Sequence, residues 1–479
     1  MTIDALPLLG AGCVYTRGDI AAEVEQLRRK LTQLRPRVLA LDMDNCPEWA
    51  IVDLAALDAQ VPLLPLPPFF SVSQRVHALH NAGVNWLIAD AAQRPPFAQA
   101  RLHSQLRIGK RDCALWQLDI PLQTLPAGTA KITYTSGTTG EPKGVCLSAS
   151  AMGRVGLSLV EACELSADDL HLSALPLSTL LENIGGLYAQ SLAGARAVLL
   201  PMREVGLAGM SAFDPVTFLD VLDRYGATTT IVVPQMLQAM VRALEQGSPR
   251  PKRLRFLAVG GAPLSESTLH RARECGLPAY QGYGLSECAS VVCLNTPKAQ
   301  RAGSVGKVLN HASVHVASDG ELHVNGATLL GYAGDNDMPH VSWPTGDIGR
   351  IDSEGYVFLE GRRRDMLVTS YGRNVAPSWI ESELLDEAAI AQAVVFGEGR
   401  PYLCALIVSR NPDAVAGAIE RVNARLPDYA RVRKWRLLER PLSADEITPN
   451  GRPRRERIAE RYARLLQTMY VDEEENVES

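Results

Sequence analysis

The sequence predicts an α/β protein: a parallel-sheet region first, then a small antiparallel or barrel-like β subdomain, then a compact α+β unit. Three observations carry this expectation. Short apolar runs alternate with amphipathic stretches through about residue 280, the pattern of βαβ units. From Gly303 to about residue 360, short β-like pieces and turn dipeptides replace the helical spacing. From about residue 365, strand-like and helix-like runs return at smaller scale. A chain of 479 residues is also too long for one ordinary domain.

In order, residues 20–34 show apolar positions at helical spacing with charges between them, an amphipathic surface helix. Residues 37–42 and 61–66 read as strands with a helix over 45–59 between them, and 71–82 and 85–90 repeat helix and strand. Residues 1–130 therefore read as a first layered subdomain without chemistry of its own. Further strands are expected at 130–133, 145–147, 172–177, 228–233, 255–259 and 278–281. Ser148 or Ser150 suits the cap of a helix reaching Cys163, and Ser265 and Ser267 that of one reaching Cys275. A helix is also expected to start within 175–183. Asp319-Gly320 signals a hairpin between 314–317 and 322–324, and 356–359 follows another turn. The last unit shows strand-like runs at 366–369, 393–396 and 404–408, and helix-like runs at 378–385 and 411–426.

Bulk properties exclude several classes of function. Hydrophobic content of 46% with 21% charged residues is that of a soluble globular protein. A net charge of −5 offers no basic face to nucleic acid or anionic membrane. The nine cysteines are scattered, with neither Cys-x-x-Cys nor zinc spacing, so they read as reduced, buried thiols. Residues 1–12 lack the basic and apolar regions of a secretion signal, and no run approaches the roughly 18–20 apolar residues of a membrane span. The expected location is the cytoplasm. The acidic residues 471–479 read as a disordered end.

Residues 134–145 read Tyr-Thr-Ser-Gly-Thr-Thr-Gly-Glu-Pro-Lys-Gly-Val. Glycines let successive N–H groups turn inward, hydroxyls add donors, and Lys143 adds a positive charge, which together suit polyphosphate. On composition alone a Gly/Ser/Thr surface loop fits equally, and the spacing is not that of a Walker A loop. Residues 260–263, Gly-Gly-Ala-Pro, allow a flat ligand near the backbone. In 282–287, Gly-Tyr-Gly-Leu-Ser-Glu, the glycines flanking Tyr283 let its ring lie against a planar base, and Glu287 is a hard oxygen ligand suited to magnesium. Taken singly, Glu287 reads as a turn carboxylate, Asp347 as a turn aspartate, and Arg362 as part of a solvated basic run.

In their order and approximate spacing, these clusters resemble the signatures of the adenylate-forming (AMP-binding) superfamily, which includes acyl-CoA synthetases, peptide-synthetase adenylation domains and beetle luciferases. The resemblance spans essentially the whole chain. It is most similar to long-chain acyl-CoA synthetases, through residues 176–182, 367–377 and 447–449. No aspartate follows the Pro176 position, which disfavours amino acid substrates. The resemblance implies an N-terminal domain of two αβ layers plus a distorted β-barrel, residues 1–363 with the barrel near 300–360, and a small rotating C-terminal domain, residues 364–479. It implies attack of a carboxylate on the α-phosphate of MgATP, then acyl transfer to coenzyme A.

By position, Thr135, Ser136, Gly137, Thr138, Thr139 and Lys143 would embrace the phosphates. Gly261, Ala262 and Tyr283 would surround adenine, and Pro263, Gln281, Gly282 and Gly284 would also bind the nucleotide. Ser286 would lie near the α-phosphate, Glu287 with Thr135 would hold magnesium, and Asp347 with Arg362 would hold the ribose. Arg364 takes the hinge position, Gly372 the thiol's approach, and Thr179 and Gly282 the acyl pocket. Two positions depart from the pattern: Thr179 stands where an aromatic or histidine is common, and Arg452 replaces a lysine bridging carboxylate and phosphate. Two alternatives stay open: transfer to the phosphopantetheine of a carrier protein, and an ATP-binding pseudoenzyme with impaired adenylation.

Overall fold

The apolar run at 37–42 forms the strand Leu39–Asp42, paired in parallel with Leu63–Pro65 on one side and Trp86–Asp90 on the other. All three are buried along almost their whole length, so they read as unbroken apolar runs rather than alternating ones. The helices Pro47–Asp58 and Val72–Asn81 make the crossovers. This computed structural model describes residues 3–95, 100–135, 142–208, 212–335, 342–443, 445–448 and 452–470, with the backbone alone at Thr135, Ala208 and Ala212.

Two sheets organise the chain up to Leu294. In the first, Thr129–Thr135 adds beside Leu63–Pro65, followed by the antiparallel Lys143–Ser148 and Gly331–Tyr332; a hairpin of Arg101–Ile108 and Arg111–Gln117 closes the far edge. The second runs in parallel from Leu8–Gly10 through Arg196–Val198, Leu170–Leu172, Thr229–Val232 and Phe256–Val259 to Ala279–Leu285. Residues 1–130 are thus no self-contained layer. Their first hairpin belongs to the second sheet, and the first sheet takes strands from beyond residue 130. Ser148 caps Ala149–Cys163 and Ser265 caps Glu266–Glu274 through N3 backbone N–H groups.

The main core lies between the sheets, joining Leu39 and Leu63 of one to Ala197 and Phe256 of the other. The helix Pro47–Asp58 is buried from Pro47 to Ala56, on every side. Its Asp53 therefore needs a partner inside the protein. Lys131 provides it at 2.5 Å, and its Nζ also donates to Asn183 Oδ1 at 2.5 Å and the Tyr188 hydroxyl at 2.8 Å. Lys131 precedes residues 134–145 on the same strand, so this cluster ties the root of that loop to the opposite sheet's helices.

The segment 172–177 departs from expectation. The strand ends at Leu172, because the N–H groups of Leu175 and Leu177 bond to the side chains of Glu182 and Asn45 instead of a ladder. The helix starts at Leu180, after Thr179, and widens into a π turn over Asn183–Tyr188 before Ala189–Ala193. Gly186 sits in that turn because a Cβ would fall 2.1 Å from Glu182 Oε1, itself bonded at 2.9 Å to His171.

Beyond Gly303, the strands Ala312–Val316, Glu321–Gly326, Trp343–Ile351 and Val357–Arg362 form an antiparallel sheet. It packs against Ala279–Leu285 and Ser290–Leu294 over Tyr283, Val292, Leu322, Val324 and Val357, and a bridge from Lys307 to Tyr356 joins the two, a barrel-like arrangement. From Leu367 onward the chain builds cores of its own. There Ile390–Phe396 pairs antiparallel with Leu403–Ser409, which pairs in parallel with Val432–Leu437, a strand not expected from the sequence. The architecture is mixed α/β with a large N-terminal part and a small α+β C-terminal one. Among the described residues no helix is long and apolar enough to cross a membrane. All nine cysteines are free; seven are buried, and burial pushes every thiol above its ordinary value.

Asp53→Ala is expected to leave Lys131 buried without its counter-charge and cost about 3–5 kcal/mol, read from urea unfolding. His311, 8% exposed and beside Arg154, is held neutral by burial down to about 4, against an ordinary 6.5. Since the unfolded chain takes that proton first, its contribution is complete above pH 6.5 and is lost as pH falls toward 4, about 3 kcal/mol in all. His311→Phe should flatten this part of the stability–pH curve relative to wild type.

Candidate active site

Tyr283 lies in the strand Ala279–Leu285, not in the expected turn, with a register shift after it. The strand can bulge there because residue 284 is glycine: a Cβ would fall 1.7 Å from Ser290 O. Gly282 is less confined, with Leu294 at 3.0 Å from its Cβ position, and Gln281 O accepts the Asn295 N–H at 2.9 Å. The Tyr283 hydroxyl donates to Asp347 Oδ2 at 2.7 Å, and Arg362 Nε donates to Asp347 Oδ1 at 2.9 Å. Asp347 and Arg362 are register partners on adjacent strands, so backbone pairing fixes this ion pair. Thr345 Oγ1 accepts the Asp347 N–H at 3.0 Å, which fixes the backbone at Asp347. Burial, then the Asp347 charge, push the Tyr283 phenol well above its ordinary value, so it remains a donor.

The Gly-Gly-Ala-Pro segment follows the strand Phe256–Val259, with Gly261 at φ +88°. Gly261 and Pro263 are exposed and Ala262 is half-buried. A Cβ on Gly260 would stand 3.7 Å from Leu181 and 3.8 Å from Gly282 O, so the helix that begins after Thr179 abuts this segment. Arg452 reaches the same place from the C-terminal part: its Nη2 donates to Gly261 O at 3.0 Å. Its loop is closed by Thr448 N to Arg452 O at 2.7 Å and Arg452 N to Thr448 Oγ1 at 3.0 Å. Desolvation and the neighbouring Arg362 depress the Arg452 guanidinium, while Asp347, Asp365 and Tyr283 oppose them. An arginine so placed still keeps its charge. Its Nε has no partner among the described residues, and neither has that of Arg454.

Lys143 opens the strand Lys143–Ser148, exposed, with Nζ 5.3 Å from the centre of the Tyr332 ring. The Tyr332 hydroxyl donates to Glu287 Oε1 at 3.2 Å, and Leu329 N donates to Glu287 O at 2.7 Å. Gly331–Tyr332 thus clamps the base of the phosphate-type loop to the turn Ser286–Cys288, which Ser286 opens. The Tyr332 phenol is raised, first by burial and then by the Glu287 charge. Tyr332 was not singled out from the sequence; a two-residue strand pairing with residues nearly two hundred positions earlier leaves no local pattern. Among the described residues no three His, Cys, Asp or Glu side chains cluster as a metal site.

Ser136, Gly137, Thr138 and Thr139 lie outside the described residues, as does the side chain of Thr135. Arg364 is exposed. Gly372, at φ +71°, turns the short hairpin Leu367–Val368/Asn374–Val375, whose recorded bonds run to Glu398 and Arg400 rather than to the site above. The structure therefore brings together Lys143 with Glu287, and Gly261, Tyr283, Asp347 and Arg362 with Arg452. The arrangement offers a buried hydroxyl-gripping carboxylate, an aromatic wall and several cations, which suits a nucleotide and its phosphates.

A long-chain-fatty-acid–CoA ligase of Mycobacterium bovis is 24% identical, with 89% of this chain and 86% of that protein covered. An indoleacetate–CoA ligase of Aromatoleum aromaticum is 29% identical over 71% of this chain and 69% of its own. The o-succinylbenzoate CoA synthetase of Bacillus subtilis, solved with its acyl-adenylate intermediate, superposes with a TM-score of 0.78 at 23% identity, covering 96% of each chain. The model of the AMP-binding enzyme matches residues 4–332 and that of the AMP-binding enzyme C-terminal domain residues 364–474. The chain belongs to the AMP-binding enzyme family.

Proposed function

We propose that this enzyme activates an apolar carboxylic acid with MgATP as an acyl-adenylate and passes the acyl group to coenzyme A. The observation that carries the reading is the meeting of Arg452 with Gly261, Tyr283, Asp347 and Arg362, five residues from separate elements around one space. In the first step a carboxylate oxygen bonds to the α-phosphorus as the bond to pyrophosphate breaks. In the second the thiol sulfur bonds to the acyl carbon, AMP leaves, and the thiol proton goes to solvent. Neither step needs a protein nucleophile; both need alignment and neutralised charge.

Asp347 would accept the ribose hydroxyls, Arg362 standing beside it, and Tyr283 with residues 261–263 and 281–284 would enclose the base. Lys143, Arg452 and residues 135–139 would neutralise the phosphates. Magnesium commonly takes one or two protein carboxylates and completes its shell with phosphate oxygens and water, so the hard donor Glu287 fits it, and Thr135 would join it. When bound, the ion would supply charge neutralisation on the phosphates. Tyr332 would fix the rotamer of Glu287. Thr179 and Gly282 would border the acyl group, Arg364 would serve as hinge and Gly372 would line the thiol's approach. The proposed division into 1–363 and 364–479 is supported by apolar cores that, among the described residues, do not mix across it.

An apolar acid is favoured over an amino acid because no aspartate follows the Pro176 position to hold an amino group, and the nearest side chains to the Cβ positions of Gly260 and Gly282 are Leu181 and Leu294. Fatty and aromatic acids both meet that description. The test is pyrophosphate release across a panel of aliphatic, aromatic and amino acids, with coenzyme A or a holo carrier protein as acceptor. Release with apolar acids and thioester formation with coenzyme A is expected. Turnover confined to carrier protein would overturn the acceptor, and nucleotide binding without exchange for any acid would overturn the enzyme reading.

Glu287→Ala should lower carboxylate-dependent pyrophosphate exchange by about 100-fold or more while the Tm stays within about 3 °C. Arg452→Lys is expected to exchange as fast as wild type or faster, since an ammonium keeps the charge. A collapse of exchange in that variant would assign the guanidinium fork a role of its own.

A further inference from the structure

No apolar cluster among the described residues spans the two parts of the chain: the C-terminal cores contain residues from Leu367 onward, the others none beyond Val357. The recorded hydrogen bonds between the parts fall on a few polar groups. Apart from the Asp365 and Met366 N–H groups on the Arg362 carbonyl, where the chain passes from one part to the other, and the Arg452 contact, those among the described residues converge on Asp386. Its Oδ2 accepts the Ser265 hydroxyl, and its Oδ1 accepts the Thr268 hydroxyl and, at 3.1 Å, Gln238 Nε2. An interface of this polar kind leaves relative placement adjustable, so single contacts can decide it.

Asp386 and Arg452 are joined through one rigid piece. Asp386 caps the C-terminal end of the helix Pro377–Leu385, whose Ile380 and Leu384 are fully buried in the C-terminal core. On that helix Glu381, 6% exposed, accepts Val395 N at 2.9 Å and the Arg455 guanidinium, and Arg455 Nε donates to Val395 O at 3.0 Å. Arg455 lies three residues beyond Arg452. On the opposing side, Gly261, Ser265 and Thr268 all belong to one short segment that enters the helix Glu266–Glu274. The C-terminal part thus grips residues 261–268 at two points, from two elements tied together by Arg455: Asp386 at the helix cap and Arg452 at Gly261.

We propose that Asp386 is a positioning residue that seats the C-terminal part on residues 261–268 and thereby delivers Arg452 to the nucleotide. This rests on the proposed reading of the site but concerns nucleotide binding, not turnover. A carboxylate is suited to the place: it accepts three donors at once, two of them from the first turn of a helix, where negative charge is favoured.

The test is a double-mutant cycle on MgATP affinity, measured by titration calorimetry with wild type, Asp386→Ala, Arg452→Ala and the double variant. Each single variant should bind about 10-fold more weakly, and the double no more weakly than Arg452→Ala alone. Additive losses, about 100-fold in the double, would show that Asp386 acts independently of Arg452 and overturn the proposal, as would wild-type affinity in Asp386→Ala. Should Asp386→Ala fail to fold, the isosteric Asp386→Asn, which keeps one acceptor oxygen, replaces it with a smaller loss expected and the same criterion of non-additivity. A wild type that binds MgATP yet activates no acid would end the proposed function while leaving this cycle readable. A wild type that binds no MgATP would end both.

Discussion

One carboxylate, Asp347, holds the site together. It lies on a strand of the barrel-like sheet, takes the phenol of Tyr283 from the second large sheet, and takes Arg362 from its own neighbour. Three strands from two sheets are thereby fixed around a buried negative charge, 6% exposed at Asp347. Such a charge is tolerable only because it is bonded on both oxygens. The cation that approaches from the C-terminal part, Arg452, enters a field already set by that group.

Below this site, charge is buried for a different purpose. Lys131 and Asp53 bond at 2.5 Å in the middle of the core, with Asn183 and Tyr188 completing the cluster. Replacing such a cluster by apolar side chains is often neutral in energy, so its value lies in position rather than stability. It couples the strand leading to residues 134–145 with the π turn Asn183–Tyr188, on the side where an acyl group is proposed to lie. Glu182 and His171 tie the start of the same helix to the strand Leu170–Leu172.

Much of the fold was legible because local chemistry agreed with it. Ser148 and Ser265 cap helices where their positions suggested, and the buried strands Leu39–Asp42 and Thr229–Val232 read as unbroken apolar runs. What was missed depended on distance. Trp343–Ile351 contains Pro344 and Gly346, which read as a turn, yet it is the strand that carries Asp347. Segment 172–177 looked like a strand until side chains 45 and 182, invisible as partners in the sequence, took its N–H groups. Tyr332 and Asp386 act across separations of 45 and 118 to 148 positions, and no periodic pattern marks either. Asp347 and Arg362, by contrast, are ordinary residues whose significance came only from their place in an ordered set.

The state of the sulfur atoms has a chemical consequence. With every cysteine thiol raised by burial, the folded protein presents almost no thiolate at neutral pH. A mixed anhydride generated within it would meet no rival sulfur belonging to the polypeptide, and self-thioesterification would be suppressed. In the proposed second step the sulfur that takes the acyl group would therefore come from outside the polypeptide.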